Sequence, residues 1–470
     1  MVNSTLASNA DSKSINQVMR LQRVCNRDLS ASRDKAGLNF DPPFGPFDDP
    51  ADDLARQTGF VVRHRKVSGS NFAQTVVFTA LAKPDATKVR RLTTAATVGL
   101  VITDKGLDKR FNARGAAFLR ELLRAAVSKV VATPVMIPLL RRFTAVEVLD
   151  SSTVALPDEL ADVFRGGRSG TTTGEKAAVK LTVGLDLVCG ALSGPELSAG
   201  RAADLSAAAA VADRPAGSVQ LADQNYFSLE KFARWDRCGA YWLSRFKSGT
   251  TVSHADGRRI DLVALLQAAG GDDVDHDVVL GSARRVACRL IARRVPAAVA
   301  AQRRQRLLDK SKCRGNRPSG QSLALCEWTI LVTNVPRDLL NVEEAMALAR
   351  LRWQIELIFK LWKSHGRIDE WRGGDPQSAL CQVYGKLLAQ VIQHWVIVAG
   401  AWSLADRSLT KAAQVVEDLA LSLAAAMRSV GRLRGMLSHA RMLMGIVARM
   451  ERRKKCPSAH DMILCLDPGP

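Results

Sequence analysis

The chain has 470 residues, 47% of them apolar and 24% charged, with a formal net charge of +21 at neutral pH. This length holds a large core and roughly two to four structural units, and the composition excludes a disordered or fibrous polypeptide. No apolar run approaches the roughly 18 to 20 residues that cross a bilayer, so the charge points to a polyanion, with nucleic acid ahead of a membrane surface.

Residues 1–52 are polar and pass through Pro42, Pro43, Gly45, Pro46 and Pro50, a density that predicts a mobile arm. The first 35 residues hold no stretch of signal-peptide type. The nine cysteines stand singly without a CxxC pair, which suits reduced thiols in a cytoplasm better than a zinc site or disulfide frame. The seven histidines are dispersed, so a metal would sit on carboxylates, and that favours Mg²⁺ or Mn²⁺.

Residues 53–135 turn helical and basic. Thr103 and Asn112 are N-cap candidates, and Ala116, Phe118, Leu119, Leu122 and Leu123 follow at helical spacing. Short helices with many cations fit a DNA-binding module of helix-turn-helix type, and equally a helical cap with a wet basic surface.

Residues 136–246 read as the first part of an α/β sheet. Strands are expected over 143–150, 178–187, 218–223 and 240–246, with a third early strand over 188–192. Helices are expected over 202–212 and 229–237, and a Gly, Ser and Thr loop over 166–174. Asp150 and Asp223 then close two strands, a favoured position for site residues in such sheets; either alone also suits a turn.

Residues 247–340 form a β-rich basic insertion, with alternating runs around Arg303, Arg304, Arg306, Lys310, Lys312, Arg314 and Arg317, a cluster suited to phosphates. Residues 341–403 hold a helix over 349–363 that places Arg352, Glu356, Lys360 and Lys363 on one face beside an apolar stripe. A second apolar helix over 378–402 is expected to cover the sheet. Residues 404–470 read as a helical, basic C-terminal region with a frayed tail.

Three carboxylates on separate elements, Asp150, Asp223 and Glu356, can hold two divalent ions roughly 3.5 to 4 Å apart, while neighbouring Lys and Arg grip phosphates. These motifs resemble the DDE transposases of bacterial insertion sequences, in the group with a Tyr-x2-Arg-x3-Glu-x6-Lys signature. Arg352, Glu356 and Lys363 match its spacing, Asp150-Ser151-Ser152-Thr153 resembles the first-aspartate motif, and Leu221-Ala222-Asp223 with Tyr226 and Arg245 resembles the second. The resemblance implies an RNase H-like mixed sheet with flanking helices and the β-rich insertion before the last catalytic helix. It implies two Mg²⁺ or Mn²⁺ ions at Asp150, Asp223 and Glu356, double-stranded DNA as substrate, a homodimer in the DNA complex and no membrane. It also implies Arg352 and Lys363 on phosphates and Trp328 stacked on a displaced base; Lys360, on the same helix face, is a further candidate for DNA contact. One departure stands out: the signature tyrosine falls at Ala349. That leaves open a DNA-end-binding protein that does not cut.

Overall fold

The computed structural model describes residues 50–450 apart from 64–65, 130, 136, 168–175, 314 and 405. The arm over 1–49, the tail after 450 and most of the 166–174 loop lie outside the described residues.

The N-terminal helices form where the caps predict. Ser68 and Asn71 close a capping box at the start of α1 (Gly69–Ala82), and Asn112 accepts from the Arg114 and Gly115 amides at the start of α2 (Ala113–Val127). Phe60, Phe72 and Phe118 pack their rings together, with Phe60 and Phe118 stacked at 5.1 Å. These side chains share one continuous core with the sheet and the later helices.

Strands β1 (Val146–Leu156), β2 (Ala177–Asp186) and β3 (Leu192–Ala199) form an antiparallel meander. Residues 188–191, part of the expected third strand, are the turn between β2 and β3. β4 (Val219–Ala222) and β5 (Tyr241–Arg245) run parallel to β1, joined by α3 (Leu229–Arg237). The basic segment adds β6 (Val252–Ser253), β7 (Asp273–Leu280), β8 (Val286–Arg294) and β9 (Trp328–Thr333), with α4 (Ala297–Cys313) between the last two. β9 pairs antiparallel with β5, so among the described residues the strands make one nine-stranded sheet in the order β3-β2-β1-β4-β5-β9-β8-β7-β6. The first five strands have the RNase H-like arrangement.

After the sheet come α5 (Val342–Leu351), α6 (Trp353–Ser364), α7 (Pro376–Ala401), α8 (Leu409–Asp418) and α9 (Val430–Val447). α7 does not lie over the sheet as expected. It is buried nearly all round and packs mainly against α1, α2, α8 and α9, because a helix apolar on every side needs neighbours on every side. No described helix is long and apolar enough to cross a membrane.

The β2–β3 turn plugs into this bundle. His394 on α7 hydrogen-bonds the Gly190 carbonyl at 2.7 Å, Thr133 donates to the Val398 carbonyl, and the Arg407 guanidinium lies 3.8 Å over the Trp402 ring. Gly190 has φ +76°, and a Cβ there would meet the Trp402 indole at 2.5 Å. Gly190→Ala therefore combines left-handed backbone strain with overpacking, and should lower unfolding free energy by about 2–4 kcal/mol in a denaturant titration. Burial holds the His394 pKa down, from 6.5 to about 4. As pH falls from about 6.5 towards 4 the unfolded chain takes this proton and the folded chain does not, so stability drops by up to about 3 kcal/mol. His394→Gln, which keeps a donor towards Gly190, should flatten the stability curve in that window.

Candidate active site

The parallel ladder between β1 and β4 pairs Val146 with Val219 and Val148 with Leu221. Two residues beyond this ladder come Asp150, still on β1, and Asp223, just past the end of β4, and continuing the register would bring them to one level on one face. Asp150 is not at the end of its strand, as expected, because β1 continues to Leu156 against β2. What ends near Val148 is the pairing with β4. Beyond that point the Ser151 amide donates to Asp150 Oδ1 at 2.8 Å.

The third carboxylate arrives on α6. The single helix expected over 349–363 is two, since α5 stops at Leu351 and α6 starts at Trp353, with Arg352 as the break. Ile355 and Ile358 are buried and α6 packs against β1, which leaves Glu356 on the open side. Lys363 Nζ donates to the Thr153 carbonyl of β1 at 3.1 Å, pinning the helix to the strand.

Arg352 lies between the acids. Its Nη2 hydrogen-bonds Glu356, and Nη1 is 4.0 Å from Asp150 Oδ2. The Asp150 pKa is pushed up to about 6, first by burial; the Ser151 amide and Arg352 oppose this, while the charges of Asp223 and Glu356 add to it. Asp150 thus senses the charges of both other acids. Their donor chemistry suits Mg²⁺ or Mn²⁺. Among the described residues, however, no group of three His, Cys, Asp or Glu side chains is already placed to hold an ion; the cation seated on two of these acids is the guanidinium.

Behind Asp150, on the other face of the sheet, Ser151 Oγ donates to Asp204 at 2.7 Å and Lys180 Nζ reaches the same carboxylate at 2.8 Å. Tyr226 is buried beside them, and burial raises its phenol pKa. The helix expected over 202–212 is only a turn at Asp204–Ser206 and four residues from Ala208, where the Glu196 carboxylate caps the first amides. The sequence reading missed Asp204 and Lys180; a lysine inside the apolar run of β2 was the available signal.

The family model described as transposase DDE domain matches residues 142–392, which contain all three carboxylates. The chain belongs to this family. The transposase for insertion sequence element IS231F of Bacillus thuringiensis subsp. israelensis is 28% identical over 361 residues, covering 72% of this chain and 75% of that protein. The transposase for insertion sequence element IS1151 of Clostridium perfringens is 22% identical over 369 residues, covering 73% and 77%.

The other residues marked from this DDE transposase's sequence are placed unequally. Lys360, Arg245 and Arg306 are exposed. Arg303 donates to the Trp328 carbonyl and Thr329 Oγ1, and Arg304 pairs with Glu327, so both hold α4 against the β9 end of the sheet. Trp328 is 5% exposed with Arg294 stacked 4.9 Å over its ring, and Tyr226 is 4% exposed. Neither ring face is presented to solvent. Trp353, at the start of α6 beside Arg352, is 56% exposed; the helical pattern took no account of it because only its apolar neighbours fit the buried stripe.

A raised carboxylate pKa means that ionising Asp150 at neutral pH opposes folding. Asp150→Asn should stabilise the chelator-treated protein by about 1–3 kcal/mol near pH 7.5. As pH falls through about 6 towards 3.8 the parent recovers that stability, so the gain should fade. Denaturant titrations at a series of pH values check both.

Proposed function

We propose that this chain is an insertion-sequence transposase that binds the terminal inverted repeats of its element, cleaves the phosphodiester at the element ends and transfers the strands to target DNA. The observation that carries this reading is Asp150, two residues past the β1–β4 ladder, within electrostatic reach of Asp223 and Glu356 inside the stretch matched by the DDE family. The relatives' names as insertion-sequence transposases support it.

In this reading Asp150, Asp223 and Glu356 hold two Mg²⁺ or Mn²⁺ ions. When bound, such ions activate the attacking water or 3′-hydroxyl and stabilise the leaving oxygen. Lys363 and Lys360 follow Glu356 along α6 and set phosphates alongside the acids, and Arg245 and Arg306 extend the basic surface along the sheet. Trp353 offers an exposed indole for a base at the mouth of the site. Double-stranded DNA in the bacterial cytoplasm is the substrate, and a homodimer assembles on the paired ends.

A second reading, a DNA-end-binding protein that does not cut, is favoured by Ala349 in the tyrosine position and by Arg352 lying on the acids. Nicking of DNA carrying the element's own terminal repeats separates the two. The first predicts cleavage that needs Mg²⁺ or Mn²⁺, lost by about a hundredfold or more in Asp150→Ala, Asp223→Ala and Glu356→Ala, with end binding kept. Tight end binding with no nick under either metal supports the second; variants that cleave like the parent overturn the triad.

A further inference from the structure

Arg352 presents a conflict. The sequence pattern assigns it to a DNA phosphate, yet the structure seats its guanidinium on Glu356 and near Asp150. The Nη1 and Nη2 edge turned to the acids is the edge that a bidentate grip on a phosphate would use. We propose that Arg352 is an internal placeholder cation: it occupies the acidic site before metal binds, and metal binding releases it to grip a DNA phosphate. This inference rests on the transposase reading and adds an order of events to it.

Three observations support it. The side chains are partly buried, with 20% exposure for Arg352, 22% for Asp150 and 29% for Glu356, so without a cation the like charges would repel in a poorly solvated place. The cation placed against Glu356 and 4.0 Å from the Asp150 carboxylate is the Arg352 guanidinium. And Arg352, at the join of α5 and α6, keeps helical backbone angles, so its long side chain can turn about its own χ angles with the backbone in place.

A placeholder competes with metal, so its removal should tighten metal binding, whereas a residue that only shaped the site would weaken it when lost. Mn²⁺ binding to the DNA-free protein, followed by electron paramagnetic resonance, should strengthen by about threefold to tenfold in Arg352→Ala, as expected for losing a cation within about 4 Å of the site. The release is tested with duplex transposon ends and Ca²⁺ in place of a cleaving metal. The logarithmic salt slope of DNA binding should be steeper in the parent than in Arg352→Ala by about one charge with Ca²⁺ present, and equal without it. Any direct metal–phosphate contact adds the same amount to both proteins and cancels.

Mn²⁺ binding that is unchanged or weaker in Arg352→Ala overturns the placeholder role. A slope difference that is the same with and without Ca²⁺ overturns the release. If the parent binds no Mn²⁺, or binds it equally after Asp223→Ala, the transposase reading of the site fails first. Melting curves of Arg352→Gln, which is neutral but of similar length, show whether any change comes from misfolding.

Discussion

The parallel pairing of β1 with β4 is the constraint on which the rest of the site depends. A register of Val148 beside Leu221 places two aspartates at one level on one face, and a slip of one residue would turn one of them to the opposite face. That register is held from both sides. β1 is zipped to β2 over ten pairs, and β4 is backed by β5 in a second parallel ladder. Short β4 ends immediately before Asp223, so the sheet opens at the point where the two carboxylates need room. The buried aliphatic side chains of β1, β2 and α6 supply the free energy that keeps the charges together against their repulsion.

The same arrangement explains the electrostatics. A protein of +21 net charge would be expected to hold its acids well ionised, yet Asp150 is driven the other way by burial and by two neighbouring carboxylates. Much of the surplus positive charge is exposed: on Lys360, Arg245 and Arg306, and on an α4 of which only Ala300 is buried. A helix that is polar nearly all round gains little from packing. Arg303 and Arg304 tie it down on one side, and its remaining cations face outward. Two cations near the acids have fixed partners: Arg352 on Glu356, and Lys363 on the Thr153 carbonyl.

Local pattern made much of this legible. The strands over 178–187 and 240–246, the helix over 229–237 and the caps at Thr103 and Asn112 follow from alternation, periodicity and N-cap chemistry, all of which act over a few residues. Asp150, Asp223 and Glu356 stood out because each falls on or beside a different element at a motif spacing. What failed depends on distant partners. The break at Arg352 is invisible to a helical wheel. The length of β1 beyond Asp150 is set by β2, and the shortness of the helix near 208 by Glu196 reaching across from β3. Trp328 looked available for stacking because sequence shows an aromatic in a strand and says nothing of Arg294 lying over it.

The helical layer matters to the site through the segment leaving α6. Lys386 on α7 is 6% exposed and donates to the carbonyls of Arg367 and Glu370 at 2.8 and 2.7 Å. Burial lowers its pKa to about 8, and the two carbonyl acceptors hold the ammonium in place against that cost. Arg367 adopts φ +43°, an unfavoured conformation for a side chain with a Cβ, and pairs with Asp85 near the N-terminal helices at 3.3 Å. The chain therefore leaves α6 by a strained turn that is held from α7 and from the N-terminal region at once. Since α1 and α2 also pack on α7, the N-terminal helices and the helix bearing Glu356 are joined through shared solid contacts. Any displacement of the N-terminal helices is therefore passed through α7 to the turn that ends α6, the helix that carries Glu356.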